Sequence, residues 1–216
     1  MSGLQLCPGV YAASRGEDLV LLDGRSGDYL CLPNAAPQVV LTPGWSSLWV
    51  KDPDLLEGLQ DLGLARANLP MAGRSLPPPA AMLDLDPSDV RPGAAARLRM
   101  AGAASDMLLH YAGRPFRHLI RWGRALEAAR PSAPARLARE AAAFRQMLPY
   151  VPLQGQCLFR AFMLKAYLAR AGLGAALVIG VQTWPFEAHA WTQAGPLVLD
   201  DTVEHVRAFT PILVLP

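Results

Sequence analysis

Three short apolar runs open the chain, at residues 10–14, 18–22 and 28–32. Polar, glycine-containing connections at 15–17 and 24–27 separate them at hairpin spacing, which predicts a three-stranded meander. Residues 34–41 follow, and Thr42-Pro43-Gly44 then breaks the pattern. Over 53–62 the apolar positions change to helical spacing. Leu55, Leu56, Leu59 and Leu62 share one face, Asp52 stands as N-cap, Pro53 takes the first helical position and Gly63 is the stop. The expected N-terminal unit is therefore a three-stranded sheet with two or three short helices, small and winged-helix-like.

Residues 73–79 interrupt all periodicity. Arg74-Ser75-Leu76-Pro77-Pro78-Pro79 cannot continue a helix and reads as a semi-rigid linker. Helices are expected over 94–111, over 116–129 behind Pro115, and over 135–148 behind Pro134. On the second of these Arg117, Arg121 and Arg124 share one face, which reads most simply as a solvated basic surface. A further helix covers 157–171 and ends at Gly172 and Gly174. After it come an apolar run at 175–181, a loop at 182–187 holding Trp184-Pro185-Phe186, and strands at 189–193, 197–201 and 212–215. A long helix followed by antiparallel strands is an α+β fold, not a doubly wound one. The organisation expected is an N-terminal unit at 1–75, a linker at 76–92 and a C-terminal domain at 93–216.

Composition narrows the function classes. With 52% hydrophobic and 18% charged residues in 216, the chain can bury a core and is not intrinsically disordered. A formal net charge of +2 is too small for a dedicated nucleic-acid binder. No apolar stretch approaches the about 18 residues of a membrane span. The first residues lack the basic region of a signal peptide, so a cytoplasmic location is expected. Cys7, Cys31 and Cys157 are odd in number and far apart, which is no disulfide framework and fits a reducing compartment. No CxxC, HExxH or HxxxH spacing occurs, so no metal site is expected. A glycine-rich nucleotide loop is also missing, and no cofactor is expected.

The candidate chemistry lies in the last third. Cys157 falls at a helix start, where free amide N–H groups and the helix dipole favour a thiolate. A buried free cysteine is commonly inert, so Cys157 counts only through its partners. His189 lies on a strand with Trp191 two residues on, both directed to one face. A histidine base beside a helix-start cysteine is the arrangement of papain-like nucleophilic catalysis. The third member is an acid on the following strand, and hairpin register chooses it. An Ala194-Gly195 loop sets Asp200 opposite His189; an Ala194-Gly195-Pro196 loop sets Asp201 there. Pro196 has no N–H for a ladder and belongs in the loop, which selects Asp201 with Asp200 second. His110, His118 and His205 lack any evident cysteine or acid partner. Gln154 and Gln156 are weaker candidates for an oxyanion donor.

These residues carry a resemblance. Cys157-Leu-Phe-Arg-Ala-Phe, Leu177-Val-Ile-Gly-Val-Gln, Pro185-Phe-Glu-Ala-His189-Ala-Trp191 and Val198-Leu-Asp-Asp201 resemble the leader peptidase, or B protein, of lasso-peptide biosynthesis. That family is similar to the transglutaminase-like cysteine peptidases, and the likeness covers about residues 93–201. It implies a triad of Cys157, His189 and Asp201 that cuts a precursor peptide between leader and core. It also implies an adenylating macrolactam cyclase as partner, acting on the freed core amine. The N-terminal unit resembles the small leader-recognition domain of the PqqD kind, here fused in one chain. By that resemblance the leader adds as a strand to the edge at Tyr29, Leu30, Cys31 and Leu32, with Leu55 and Leu59 completing the groove. Two other classes share the residues: an acyl transferase of the transglutaminase type, and a non-catalytic escort of the precursor.

Overall fold

A computed structural model describes residues 2–86, 90–126, 133–151 and 156–216. Strand β1 covers Ser2–Leu6. The meander follows as β2 (Val10–Arg15), β3 (Asp18–Asp23) and β4 (Asp28–Leu32), in the order β2-β3-β4 and antiparallel throughout. Its first hairpin turns on Gly16 at φ 58° and its second closes at Gly27 at φ 94°, backbone conformations that L side chains rarely adopt. Arg15 pairs with Asp18, and Asp23 with Asp28.

The rest of the N-terminal part differs from the expected three strands with several helices. Among the described residues it contains one α-helix and a second sheet. A 3-10 turn at Ala36–Gln38 leads into β5 (Val39–Leu41), which forms a hairpin with β6 (Ser47–Val50). Helix α1 (Pro53–Asp61) is capped by Asp52, whose side chain accepts from the Asp54 N–H at 2.9 Å. A short β7 (Ala65–Arg66) completes a sheet of order β5-β6-β1-β7. The physical reason lies in Val39-Val40-Leu41 and Leu48-Trp49-Val50. β-Branched and aromatic residues favour a pleated surface over a helix, and β1 supplies the strand they need.

The meander is apolar on both faces because it separates two cores. Tyr11, Ala13, Val20 and Leu22 face a core shared with Phe144, Phe162, Leu164 and Tyr167. Val10, Leu19 and Leu21 face the other, shared with Leu4, Leu48, Val50 and Leu59. Strand β4 alternates in the same way: Tyr29 and Cys31 pack on the first core, Leu30 and Leu32 on the second.

The segment expected as a semi-rigid linker is tied to its neighbours at several points. Ser46 donates its N–H to Ala72 and Arg74 to Gly44, while the Gln193 amide donates to the Pro79 carbonyl. Beyond it β8 (Leu83–Asp84) adds a parallel edge strand to the C-terminal sheet.

The helices are α2 (Ala94–Asp106), continued by a π-helical turn Met107–Tyr111, then α3 (Phe116–Ala125), α4 (Pro134–Met147) and α5 (Cys157–Arg170). Residues 127–129, the expected end of the second helix, lie outside the described residues. Strands β9 (Ala176–Gln182), β10 (Glu187–Ala194) and β11 (Leu197–Val198), the short helix α6 (Val203–Val206) and β12 (Thr210–Leu215) complete the chain. The five-stranded sheet runs β12-β9-β10-β11-β8. Helix α5 packs on β10, where the Thr192 hydroxyl donates to the Ala161 carbonyl, and its Phe162, Leu164 and Leu168 are fully buried. A third apolar cluster, Val178, Trp191, Val198, Val203, Val206 and Phe209, joins α6 to the sheet. The architecture is mixed α+β with antiparallel pairing around α5.

Candidate active site

Cys157 is the first residue of α5. Gln156 precedes it in extended conformation and makes no side-chain cap, so the amides of the first turn remain available. The thiol is held below its ordinary value. A hydrogen bond with His189 is the largest cause, opposed by burial and aided by the N–H groups of Ala190 and Leu158 and by the His189 charge.

His189 stands on β10, buried between Trp191 at 6.0 Å and Phe209 at 5.0 Å between ring centroids. Its Nε2 lies 2.5 Å from Asp201 Oδ2, which leaves Nδ1 for the thiol. Burial by itself would lower the imidazole pKa. The hydrogen bonds to Asp201 and Cys157 outweigh it and raise the value from 6.5 to about 9. Asp201 moves the opposite way. Burial pushes its carboxyl up, but His189, the Thr202 N–H at 2.8 Å and His205 hold it well below the usual carboxylate range. The three groups thus form a chain in which charge on cysteine and histidine is stabilised together.

Asp201 reaches His189 by a route that differs from the expected strand register. Ala194 pairs with Leu197 and Gln193 with Val198, so the turn is Gly195-Pro196 and neither of the two loops considered from sequence is present. Strand β11 ends at Val198. The chain then leaves the ladder while the Leu199 N–H still donates to the Thr192 carbonyl. Asp200 and Asp201 are placed by this departure, not by cross-strand pairing.

Asp200 does not face solvent. It is buried, and Oδ1 accepts from the Thr192 N–H at 2.7 Å. Burial pushes its carboxyl up to about 6. Among the described residues its Oδ2 has no hydrogen-bond partner. The Arg160 guanidinium lies 3.7 Å from Asp200 Oδ2 and 3.6 Å from Asp201 Oδ2.

Arg160 is absent from the sequence-based candidates, and His205, expected to lack an acid partner, has one in Asp201. His205 Nδ1 is 3.1 Å from each oxygen of Asp201, and its ring centroid is 4.5 Å from that of His189. The signals were present: Arg160 is one turn beyond Cys157, and His205 follows Asp201 by four residues on a helix capped by Thr202. His189, Asp201 and His205 offer ligand atoms within 4.8 Å of one another, a set a divalent cation could use. In the geometry described, hydrogen bonds already engage those atoms.

The expected leader-binding residues separate into two groups. Tyr29, Leu30, Cys31 and Leu32 are half-buried along β4, whose outer edge pairs with no strand among the described residues. Tyr29 lies close enough to Cys157 that the thiolate charge adds to the burial that raises its phenol to about 12. Tyr111 of the π-helical turn is also near Cys157. Leu55 and Leu59 belong elsewhere. Leu59 is 1% exposed, and helix α1 packs on β6 and β7. They fill the second core and do not line the edge of β4, because the apolar face of α1 covers the second sheet. Gln156 is exposed at the helix start, and Gln154 lies outside the described residues.

A helix-borne thiol, a strand-borne imidazole and a carboxylate behind it make up the apparatus of acyl transfer through a thioester. The chain belongs to the transglutaminase-like superfamily, whose sequence model matches residues 101–214, more than half of the length. No curated protein and no solved structure matches the chain. The superfamily is consistent with either a cysteine peptidase or an acyltransferase. Among the described residues no helix is long and apolar enough to cross a membrane.

Proposed function

We propose that this chain is the leader peptidase of lasso-peptide maturation. One observation carries the reading: the nucleophile of an acyl-transfer triad lies beside a strand edge that pairs with no strand among the described residues. A free edge supplies the N–H and C=O groups that capture an extended peptide by strand addition. The precursor leader adds along β4, and its junction with the core reaches Cys157 past Tyr29.

The Cys157 thiolate attacks the junction carbonyl, and first-turn N–H groups such as that of Leu158 hold the oxyanion. His189, charged in the resting pair, gives its proton to the departing core amine. Asp201 stays ionised and keeps the imidazole oriented. His189, now neutral, takes a proton from water as the water opens the thioester, and the leader leaves as an acid. The freed core amine is the substrate of an adenylating macrolactam cyclase, the expected partner. The resemblance of the 157–201 motifs to that family supports the assignment.

The test uses the purified full chain and a synthetic precursor peptide, read by mass spectrometry. Leader acid and core amine are the expected products. Cys157→Ala should lose several orders of magnitude of rate, whereas Cys7→Ala with Cys31→Ala should retain cleavage. Preferential transfer of the leader acyl group to an added amine would replace peptidase with acyltransferase. Cleavage surviving in Cys157→Ala would refute the mechanism.

A further inference from the structure

The loop between β9 and β10 presents two large aromatic rings to solvent. Trp184 is 73% exposed and Phe186 is 44% exposed. Both sit just before β10, and Phe186 precedes His189 by three residues. The Tyr29 and Phe186 rings are 5.5 Å apart, so the loop meets the strand edge at a residue that feels the Cys157 charge. The loop is also held in place. The Trp184 indole N–H donates to Asp18 Oδ2 at 2.7 Å, and the Asn34 N–H donates to Asp18 Oδ1 at 3.1 Å. Asp18 is 6% exposed at the start of β3. A buried carboxylate therefore anchors the loop to the meander while leaving its rings uncovered. Grouped exposed aromatics mark a surface that something else covers.

We propose that Tyr29, Trp184 and Phe186 form a side-chain subsite for an apolar residue of the leader, at one of the two positions next to the cleaved bond. The proposal rests on the leader-peptidase reading, which supplies the direction. A leader paired with β4 passes Tyr29 before its carbonyl reaches Cys157, so the rings meet residues on the leader side and not on the core side. In strand addition the backbone supplies general affinity and side-chain pockets supply selectivity. Ring faces favour an uncharged apolar side chain. Asp18 and the exposed Glu187 at the rim oppose an acidic one.

The test compares full-length wild type, Phe186→Ala and Trp184→Ala on junction peptides in which each of the last leader residues is replaced in turn by Leu or Asp. Wild type should show kcat/KM about 10-fold to 100-fold higher for Leu than for Asp at one of the two positions beside the bond. That preference should collapse in both variants while discrimination at more distant leader positions persists. The alkylation rate of Cys157 by iodoacetamide should stay at the wild-type value, showing an intact nucleophile. If wild type cleaves the peptides without discriminating at either position, or both variants keep the preference, the subsite is refuted and the peptidase reading stands. If wild type alkylates normally yet cleaves none of the peptides, the underlying reading fails and takes the subsite with it.

Discussion

Replacing Asp201 by Asn tests the electrostatic core of the site. In the wild-type geometry His189 rises from 6.5 to about 9 against the opposing effect of its burial. A shift of that size corresponds to at most about 3 kcal/mol favouring the imidazolium, at 1.36 kcal/mol per pKa unit. Asp201 shares this with Cys157, so charge loss alone should cost up to about 10²-fold in rate. The amide adds a second effect. Its NH₂ would donate to Nε2, which forces the remaining ring proton onto Nδ1, the atom facing the thiol. The base is then in the wrong tautomer, and losses of about 10⁴-fold are typical of such a change. The assay is the pH profile of iodoacetamide alkylation at Cys157, followed together with peptide cleavage. Wild type should alkylate rapidly well below the ordinary thiol value, because His189 lowers the thiol pKa. In Asp201→Asn the profile should move up toward that ordinary value, slow at neutral pH and converging with wild type at alkaline pH. Superimposable profiles with undiminished cleavage would refute the coupling of Asp201 to the pair.

Further outcomes follow from the neighbouring groups. Asp200 has a folded pKa raised to about 6 from 3.8, so its contribution to stability is fully present below 3.8 and is lost as pH rises through about 6. Asp200→Asn should therefore melt higher than wild type at neutral pH, by at most about 3 kcal/mol, with the difference vanishing in acid; an equal difference at all pH values would contradict the burial argument. A fragment of residues 1–75 would expose the Tyr11, Val20 and Leu22 face of the meander, each side chain forfeiting about 1.5–3 kcal/mol of burial. Calorimetry of that fragment should show no cooperative transition, and a sharp one would show that the N-terminal part stands alone.

The legible part of the fold is the part where one residue type has one physical meaning. The helix starting at Cys157 and the three meander strands are present as read, because turn glycines and apolar periodicity mark them without ambiguity. Residues 34–50 were less readable: short apolar segments between turn signals fit a strand or a helix until β1 pairs with them, and β1 is distant in sequence. The site shows the same division. Local context alone marks Cys157 and His189 as candidates. The strand register that points to Asp201 is not the one adopted, since Pro196 sits in a two-residue turn and β11 stops after Val198. Arg160 and His205 act on carboxylates that folding brings to them, and each looks ordinary on its own element.

The double-sided meander also changes how its strands find their alignment. In a sheet with one wet face, a slip of one residue turns apolar side chains out to water, and that penalty fixes the pairing. Strand β3 has no such safeguard. Leu19 and Leu21 would exchange faces with Val20 and Leu22, and every one would still be dry. The threading must be specified at the corners instead. Gly16 and Gly27 supply the positive φ values that fix the loop lengths. Asp18 is held by Asn34 and Trp184, and Asp23 by Arg25 at 2.6 Å, so a carboxylate marks each end of β3. Loss of these corner residues would yield a compact chain with unchanged apolar content, threaded one residue out of step and carrying Tyr29 away from Cys157.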